Sequence, residues 1–125
     1  MSARTERSPE EFQRDARQML TVRRQDAEQV LIEQLDAVRV LRESLDSGAA
    51  DVLDRATVRA EADELALLVA RLRSQLDDLA TAIERCDVGT YGICERCGAR
   101  IPDERLAMLP SATHCVPCMR AQPSP

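Results

Sequence analysis

The sequence predicts a mainly α-helical protein, with a long antiparallel coiled-coil hairpin followed by a small four-cysteine finger. Three features of the 125 residues predict this architecture: a stretch without Gly or Pro between Glu10 and Ser47, a strict heptad of apolar residues in the segment after it, and two Cys-x-x-Cys pairs near the C-terminus. The composition agrees, because 44% of the residues are hydrophobic and 31% are charged but only 2% are aromatic. Such a mixture is typical of long exposed helices rather than of a compact globular core.

The first helix is predicted at about residues 9–46, after a frayed tail of residues 1–7. Ser8 can cap its N-terminus, Pro9 suits the first helical position, and Glu11 completes a capping box. Gly48 suits the position just after the last turn. Apolar residues recur at steps of three and four, interrupted by Gln34, and a looser stripe lies toward the N-terminus. The regular set is Ala27, Leu31, Val38, Leu41 and Leu45, and the looser stripe is Phe12, Ala16, Met19 and Val30.

The second helix is predicted at about residues 51–87 and has the more regular apolar seam. Asp51 can cap this helix, and Asp54 lies near its positive end. Asp51 and Arg55 are four residues apart and can form an ion pair on the surface. The apolar steps alternate between four and three, which is a heptad pattern. The seam consists of Val58, Ala62, Leu65, Val69, Leu72, Leu76, Leu79, Ile83 and Cys86.

Two long helices joined by about five residues are expected to pair with each other in an antiparallel hairpin. Each helix has one apolar stripe, which is enough for a two-stranded coiled coil. The alternative is a coiled coil or bundle formed between chains. We favour the hairpin and a monomer because the helices match in length and the connection is short. The hairpin would span residues 8–88, with its tip at residues 46–56.

The two Cys-x-x-Cys pairs predict a zinc site. Cys94 and Cys97 form the first pair, and Cys115 and Cys118 follow after 17 intervening residues. Four thiolates at this spacing suit one tetrahedral Zn²⁺, and Gly98 suits a turn that needs a positive φ. A shell closed by four thiolates leaves no open position on the metal, so the zinc is expected to be structural rather than catalytic. The zinc finger would span residues 89–120, before a frayed tail of residues 121–125.

Other interpretations of these residues are less favoured. Two disulfides would need an oxidising compartment, and a redox-active pair would normally accompany a βαβ pattern, which the sequence lacks. His114 is expected to be a bystander because four cysteines already complete the shell. Cys86 lies on the heptad seam and is interpreted as a small buried residue rather than a reactive thiol or a fifth ligand. The core of the finger is expected to contain Ile101, Leu106, Met108 and Leu109.

Charge and hydropathy exclude several classes of function. The net charge is −5, which disfavours binding of nucleic acid through phosphate contacts. The longest apolar run, from Leu65 to Ala70, is too short to cross a bilayer, and the N-terminal residues contain no export signal. The protein is therefore expected to be cytoplasmic. No nucleophile beside a base, pair of metal ligands outside the cysteines, or phosphate-binding loop indicates an enzyme.

The second half of the chain resembles the DksA/TraR family of zinc-finger transcription regulators. The resemblance rests on Ala82-Ile83-Glu84-Arg85, on Gly89-Thr90-Tyr91-Gly92-Ile93 leading into the first cysteine pair, and on Ile101, Arg105-Leu106, Pro110 and Ala112-Thr113. At the hairpin turn, residues Asp51, Asp54 and Ala56 fit the family's Asp-x-x-Asp-x-Ala tip motif. The match covers roughly residues 50–120, and the first helix matches only in length and character.

The resemblance implies a regulator that binds RNA polymerase rather than DNA. It implies that the coiled-coil tip, with Asp51, Asp54 and Ala56, enters the secondary channel and alters initiation, and that the four cysteines hold the zinc. It also suggests ppGpp as a ligand. Longer members of the family, however, continue into a C-terminal helix that helps to form the ppGpp site. Only seven residues follow Cys118 here, which leaves ppGpp binding open. A structural or adaptor protein whose coiled coil pairs with another protein is the alternative function.

Overall fold

The computed structural model describes residues 7–48 and 51–121, apart from the side chain of Leu53. Two long helices come first, α1 (Pro9–Asp46) and α2 (Val52–Asp87), followed by two short ones, α3 (Asp103–Met108) and α4 (Val116–Ala121). An isolated antiparallel bridge joins Ile93 to Arg100 between α2 and α3. These elements confirm the predicted fold class. The predicted tails lie mostly outside the described residues, as do residues 49 and 50 of the predicted connection.

The start of α1 has the predicted capping box. The backbone N–H of Glu11 donates to the Ser8 hydroxyl at 3.1 Å, and the Ser8 N–H donates to the Glu11 carboxylate at 3.0 Å. These hydrogen bonds, first the one from the Ser8 backbone, lower the pKa of Glu11. Arg7, which was assigned to the frayed tail, instead forms an ion pair with Asp15 at 2.6 Å. The first described residue is therefore attached to the helix.

The chain forms two compact units, and both long helices contribute to each of them. The first, called the base unit, contains residues 7–24 and 78–121, and the second, called the arm unit, contains the described residues of 25–77. In the base unit, Arg17 near the start of α1 pairs with Asp87 at the end of α2, at 2.6 Å. In the arm unit, Arg55 near the start of α2 donates to the carbonyl oxygen of Leu45 near the end of α1, at 2.7 Å. The two helices thus run antiparallel in each unit.

The predicted seam of α2 is confirmed along its whole length. Six of its nine residues are buried and the other three are half-buried. The buried members are Ala62, Val69, Leu72, Leu79, Ile83 and Cys86. On the arm segment of α1, Ala27 and Val38 are buried, and Gln34 lies half-buried among them as the expected polar interruption. The heptad spacing therefore identified the packed faces in both units.

The looser stripe predicted for α1 is partly wrong. Met19 and Val30 are 36% and 40% exposed, whereas Leu20, which the predicted stripe leaves out, is fully buried. Leu20 follows the buried Ala16 by four residues, so the two lie on one face of the helix. Met19 is displaced by one residue, which turns its side chain by about 100° away from that face. Leu20 is therefore a fully buried residue that α1 contributes to the core of the base unit.

Candidate metal centre and hairpin tip

The four predicted zinc ligands lie together in the base unit. The Sγ atoms of Cys94, Cys97, Cys115 and Cys118 are all within 4.8 Å of one another, and those of Cys97 and Cys115 are 3.8 Å apart. A tetrahedral Zn²⁺ with bonds of about 2.3 Å to sulfur separates its sulfur atoms by about 3.8 Å. The spacing and the donor set therefore fit one zinc ion. All five cysteines are free of disulfides.

The first cysteine pair forms a tight knuckle. The N–H of Gly98 donates to the carbonyl oxygen of Cys94 at 3.0 Å, and Gly98 has a φ of 74°, which a residue with a Cβ rarely adopts. The N–H of Ala99 donates to the Cys97 sulfur at 3.4 Å. Such a hydrogen bond stabilises a thiolate ligand. The turn thus directs both sulfurs to the same point, as the sequence predicted for Gly98.

The second cysteine pair is joined to the first through the backbone. The N–H of Glu95, one residue after Cys94, donates to the carbonyl oxygen of Thr113 at 2.9 Å. Cys115 directly precedes α4, and its carbonyl oxygen accepts a hydrogen bond from the Met119 N–H of that helix at 2.9 Å. The 17-residue gap between the pairs therefore returns the chain to the first knuckle and holds it there.

The thiols of the cluster differ in acidity. Hydrogen bonds from backbone N–H groups, first that of Cys97, lower the pKa of Cys94 to about 5 against the opposing effect of burial. The hydrogen bond with Cys115 raises the pKa of Cys118 to about 12. Because zinc binds thiolates, the metal has to displace the proton from Cys118, and its affinity falls as the pH falls.

The core beneath the cluster differs in part from the predicted one. Ile101 and Leu106 are buried as expected, but Met108 and Leu109 are 89% and 46% exposed, so their assignment to the core was wrong. The helix α3 is only six residues long, and Leu106 is its one buried residue. Tyr91, which is 2% exposed, contributes to the core in place of these two residues.

The two aromatic residues connect this core to α1. The rings of Phe12 and Tyr91 stack with centroids 6.1 Å apart, and the Tyr91 hydroxyl donates to the carbonyl oxygen of Pro110 at 2.6 Å. Burial raises the pKa of Tyr91 to about 12. A Cβ added to Gly92 would lie 3.2 Å from the Phe12 ring, so the close approach of the ring needs glycine there. Tyr91 was not predicted for the core from the sequence. Its being the only Tyr in a chain with one Phe and no Trp was the available signal.

The remaining cysteine and the histidine lie outside the four-cysteine cluster. Cys86 is buried on the seam of α2, and burial raises the pKa of its thiol to about 11. His114 is half-buried, and its Nδ1 is 2.9 Å from the Thr113 hydroxyl. The metal-binding cluster among the described residues consists of the four cysteines and includes neither residue.

The tip residues of the hairpin lie at the start of α2 and have different environments. The Asp51 carboxylate accepts a hydrogen bond from the Asp54 N–H at 2.9 Å, so it caps the helix. Asp54 and Ala56 are exposed. The expected ion pair of Asp51 with Arg55 does not form, because the Arg55 guanidinium bonds to the Leu45 carbonyl oxygen instead. The end of the arm unit therefore presents the side chain of Asp54 to solvent.

Within residues 7–48 and 51–121, no helix combines the length and apolar character needed to cross a membrane.

A long helical hairpin that carries a four-cysteine metal cluster defines the structural class of this protein. Residues 89–122 match the family model described as the prokaryotic DksA/TraR C4-type zinc finger. The fold is similar to that of the transcription factor DksA2 from Pseudomonas aeruginosa, with a TM-score of 0.76 and 27% sequence identity over 88% of this chain and 81% of that one. Residues 89–122 therefore form a zinc finger of the DksA/TraR type, which carries one structural Zn²⁺.

Curated relatives match over shorter segments. An uncharacterised protein of Aquifex aeolicus is 46% identical over 43 residues, which cover 34% of this chain and 30% of that protein. The uncharacterised proteins YteA and YlyA of Bacillus subtilis are 42% identical over 60 residues and 40% identical over 47. These segments cover 48% and 38% of this chain, but only 25% and 38% of the two relatives. The finger match and the similarity to a transcription factor together support a role like that of a transcription factor.

Proposed function

We propose that this protein is a non-enzymatic, cytoplasmic transcription regulator that binds core RNA polymerase and inserts the tip of its hairpin into the secondary channel. Cys94, Cys97, Cys115 and Cys118 hold the structural zinc, and residues Asp51, Asp54 and Ala56 form the tip. The protein modulates initiation without recognising DNA directly. The observation that carries the proposal is the exposed Asp54 carboxylate at the turn of a helical hairpin in a chain whose finger matches this family.

The environment of the tip supports a contact made by Asp54. Asp51 uses one carboxylate oxygen to cap α2, and Arg55 connects α2 to the last turn of α1. Among the described residues, the Asp54 side chain makes no ion pair or side-chain hydrogen bond. A carboxylate held on a fixed helical turn and free of internal partners suits an electropositive, metal-containing site on another molecule.

The distribution of charge supports the same partner. Residues 25–77 contain 12 Asp or Glu and 6 Arg, which gives a net charge of −6, while the net charge of the whole chain is −5. The arm unit therefore carries all of the excess negative charge. Such a surface is attracted to a basic channel and repelled by the phosphates of a promoter.

The experiment places a photo-crosslinker at position 54 and mixes the protein with core RNA polymerase from the same organism. We expect crosslinks to the segments of the catalytic subunits around the active-site Mg²⁺. A crosslinker at the exposed Arg71 on α2 is the matched control, and its crosslinks should map away from that Mg²⁺. Crosslinks from position 54 that miss the active site would contradict insertion of the tip.

A substitution separates binding from regulation. Asp54→Asn keeps the shape of the side chain and removes its charge, so we expect binding to polymerase to persist while the effect on transcription is lost. Unchanged regulation by Asp54→Asn would contradict the assigned role of the tip.

The adaptor function remains a second candidate because several apolar side chains of the arm unit are exposed. Ile32, Val40 and Leu67 are 60%, 52% and 63% exposed. They would favour pairing with another helix. A chain that fails to bind polymerase but sediments as a dimer, or captures a different helical protein, would support this candidate over the first.

A further inference from the structure

We infer that Arg85 and Arg105 are positioning residues for the zinc centre and that they set its affinity for the metal. The two cysteine knuckles share one arrangement that the cysteine spacing alone does not reveal. In each, the backbone carbonyl directly before the first cysteine accepts a hydrogen bond from an arginine side chain on a neighbouring helix. Arg85 of α2 donates to the carbonyl oxygen before Cys94, and Arg105 of α3 donates to the carbonyl oxygen before Cys115. This role of the two arginines requires the zinc centre but does not require binding to RNA polymerase.

The contacts of Arg85 surround the first ligand. Its Nη2 donates to the carbonyl oxygen of Ile93 at 2.5 Å and to that of Thr90 at 3.1 Å. Its Nη1 lies 3.9 Å from a carboxylate oxygen of Glu95. Ile93 and Glu95 are the residues immediately before and after Cys94, and the Arg85 side chain is only 12% exposed. One nearly buried guanidinium therefore fixes the backbone before this ligand and lies near the carboxylate of the residue after it.

Arg105 makes the equivalent contact at the second knuckle. Its Nε donates at 2.8 Å to the carbonyl oxygen of His114, the residue directly before Cys115. The carbonyl oxygen of the preceding residue, Thr113, accepts a hydrogen bond from the N–H of Glu95. The Thr113 hydroxyl also contacts the His114 ring. The backbone that leads into Cys115 is thus fixed from α3 and from the first knuckle.

Two physical effects connect these contacts to zinc affinity. Groups that orient a metal ligand reduce the ordering that binding requires, and their loss commonly weakens metal affinity. Four thiolates with one Zn²⁺ also carry a net negative charge, which positive guanidinium groups in the same unit stabilise. Both effects act in the direction of tighter binding.

The test measures zinc affinity of the full chain by competition with a chromogenic chelator. Arg85→Met and Arg105→Met keep much of the side-chain bulk but remove the charge and the donors. We expect each to weaken zinc binding by about 10- to 100-fold. Arg96→Met is the matched control, since Arg96 lies exposed between the two cysteines of the first pair, where solvent and salt screen its charge, and it should change the affinity much less.

A second set of variants separates positioning from packing. Arg85→Lys and Arg105→Lys retain a cationic donor, so we expect them to recover most of the affinity that the Met variants lose. Bound Co²⁺ should show the absorption of a tetrahedral four-thiolate site, with altered bands in the Met variants, while circular dichroism at saturating zinc shows the same helix content.

Two results would overturn the inference. One is zinc affinity in both Met variants equal to that of the original chain. The other is Lys variants that bind zinc no better than the Met variants, because packing alone would then explain the loss. Should a Met variant fail to fold even with saturating zinc, the affinity of the corresponding Lys variant decides between the two explanations.

Discussion

Individual residues of similar type have different roles because their hydrogen bonds differ. Asp51 and Asp54 are three residues apart at the start of α2, and the sequence alone gives both the properties of helix-capping residues. The structure shows that Asp51 accepts the N–H of Asp54 at 2.9 Å, while the Asp54 carboxylate faces solvent. Asp51 therefore stabilises the tip, and Asp54 is available to a partner.

A stability measurement tests this division. Asp51→Ala removes the cap and should lower the free energy of unfolding by about 1 kcal/mol. Asp51→Asn should cost much less because Asn caps nearly as well. Asp54→Asn serves as the control and should cost only about 0.3 kcal/mol, because it keeps the cap and loses only the attraction of the exposed charge to the helix dipole. Urea unfolding followed by circular dichroism measures all three, and equal losses for the two Asp51 variants would contradict the capping role.

The acidity of a single buried thiol gives a second prediction at this scale. Burial raises the pKa of Cys86 from the ordinary value of 9.0 to about 11. Burial in the folded state disfavours the charged thiolate, whereas the unfolded state does not. The protonated Cys86 thiol therefore contributes its full stability below pH 9, and this contribution is lost as the pH rises through about 11. Unfolding by urea at pH 8 and at pH 10.5 should therefore show a loss of stability that is smaller in Cys86→Ala. An equal loss in both proteins would contradict the assignment.

At the scale of elements, the short helix α3 shows how the finger builds its core. Its six residues Asp103–Met108 bury Leu106 but leave Met108 89% exposed, although both are large apolar residues. The rest of the core comes from Tyr91 and from the Phe12 ring of α1. The finger is therefore part of the base unit and does not have an independent core.

The two apolar residues of α3 provide matched substitutions. Leu106→Ala should lower the free energy of unfolding by roughly 2–5 kcal/mol because it leaves a cavity in a packed core. Met108→Ala should change it by less than about 0.5 kcal/mol because the side chain lies in solvent. Thermal unfolding of the zinc-loaded proteins measures both, and a comparable loss from Met108→Ala would contradict the observed exposure.

Removal of zinc should affect the elements unequally. Residues 89–118 bury few apolar side chains, so metal binding supplies much of their folding free energy. Chelation should make this segment sensitive to protease while α1 and α2 keep most of their helical circular dichroism. A chelated protein with the same protease resistance in residues 89–118 would show that the finger folds without metal.

For the molecule as a whole, charge is divided between the two compact units. The arm unit has a net charge of −6, and the remaining residues together have a net charge of +1 with the thiols counted as neutral. This separation is invisible in the total of −5. It follows from the way the units divide the two long helices.

Association with a basic partner should therefore depend on salt. The association rate with core RNA polymerase should fall by about tenfold or more as ionic strength rises, since electrostatic steering is screened. Replacing Glu61, Asp63 and Glu64 with Gln or Asn should flatten this dependence, whereas Glu84→Gln in the base unit should have little effect. Stopped-flow fluorescence measures the rate, and a rate independent of salt would contradict steering by the arm unit.

The sequence by itself determined the features that depend on neighbours along the chain. The capping box of Ser8 and Glu11, the seam of α2 and the turn at Gly98 each follow from residues no more than a few positions apart. The spacing of the cysteine pairs also determined the metal, because four thiolates suit one tetrahedral ion.

Tertiary structure decided the features in which distant residues meet. Phe12 reaches Gly92 and Tyr91 across about eighty positions, and this contact makes Tyr91 a core residue while Met108 is left in solvent. The arginine contacts at Ile93 and His114 likewise depend on where α2 and α3 lie beside the knuckles. Periodicity gives the face of each helix, but only packing determines which neighbour that face meets and how much of it is covered.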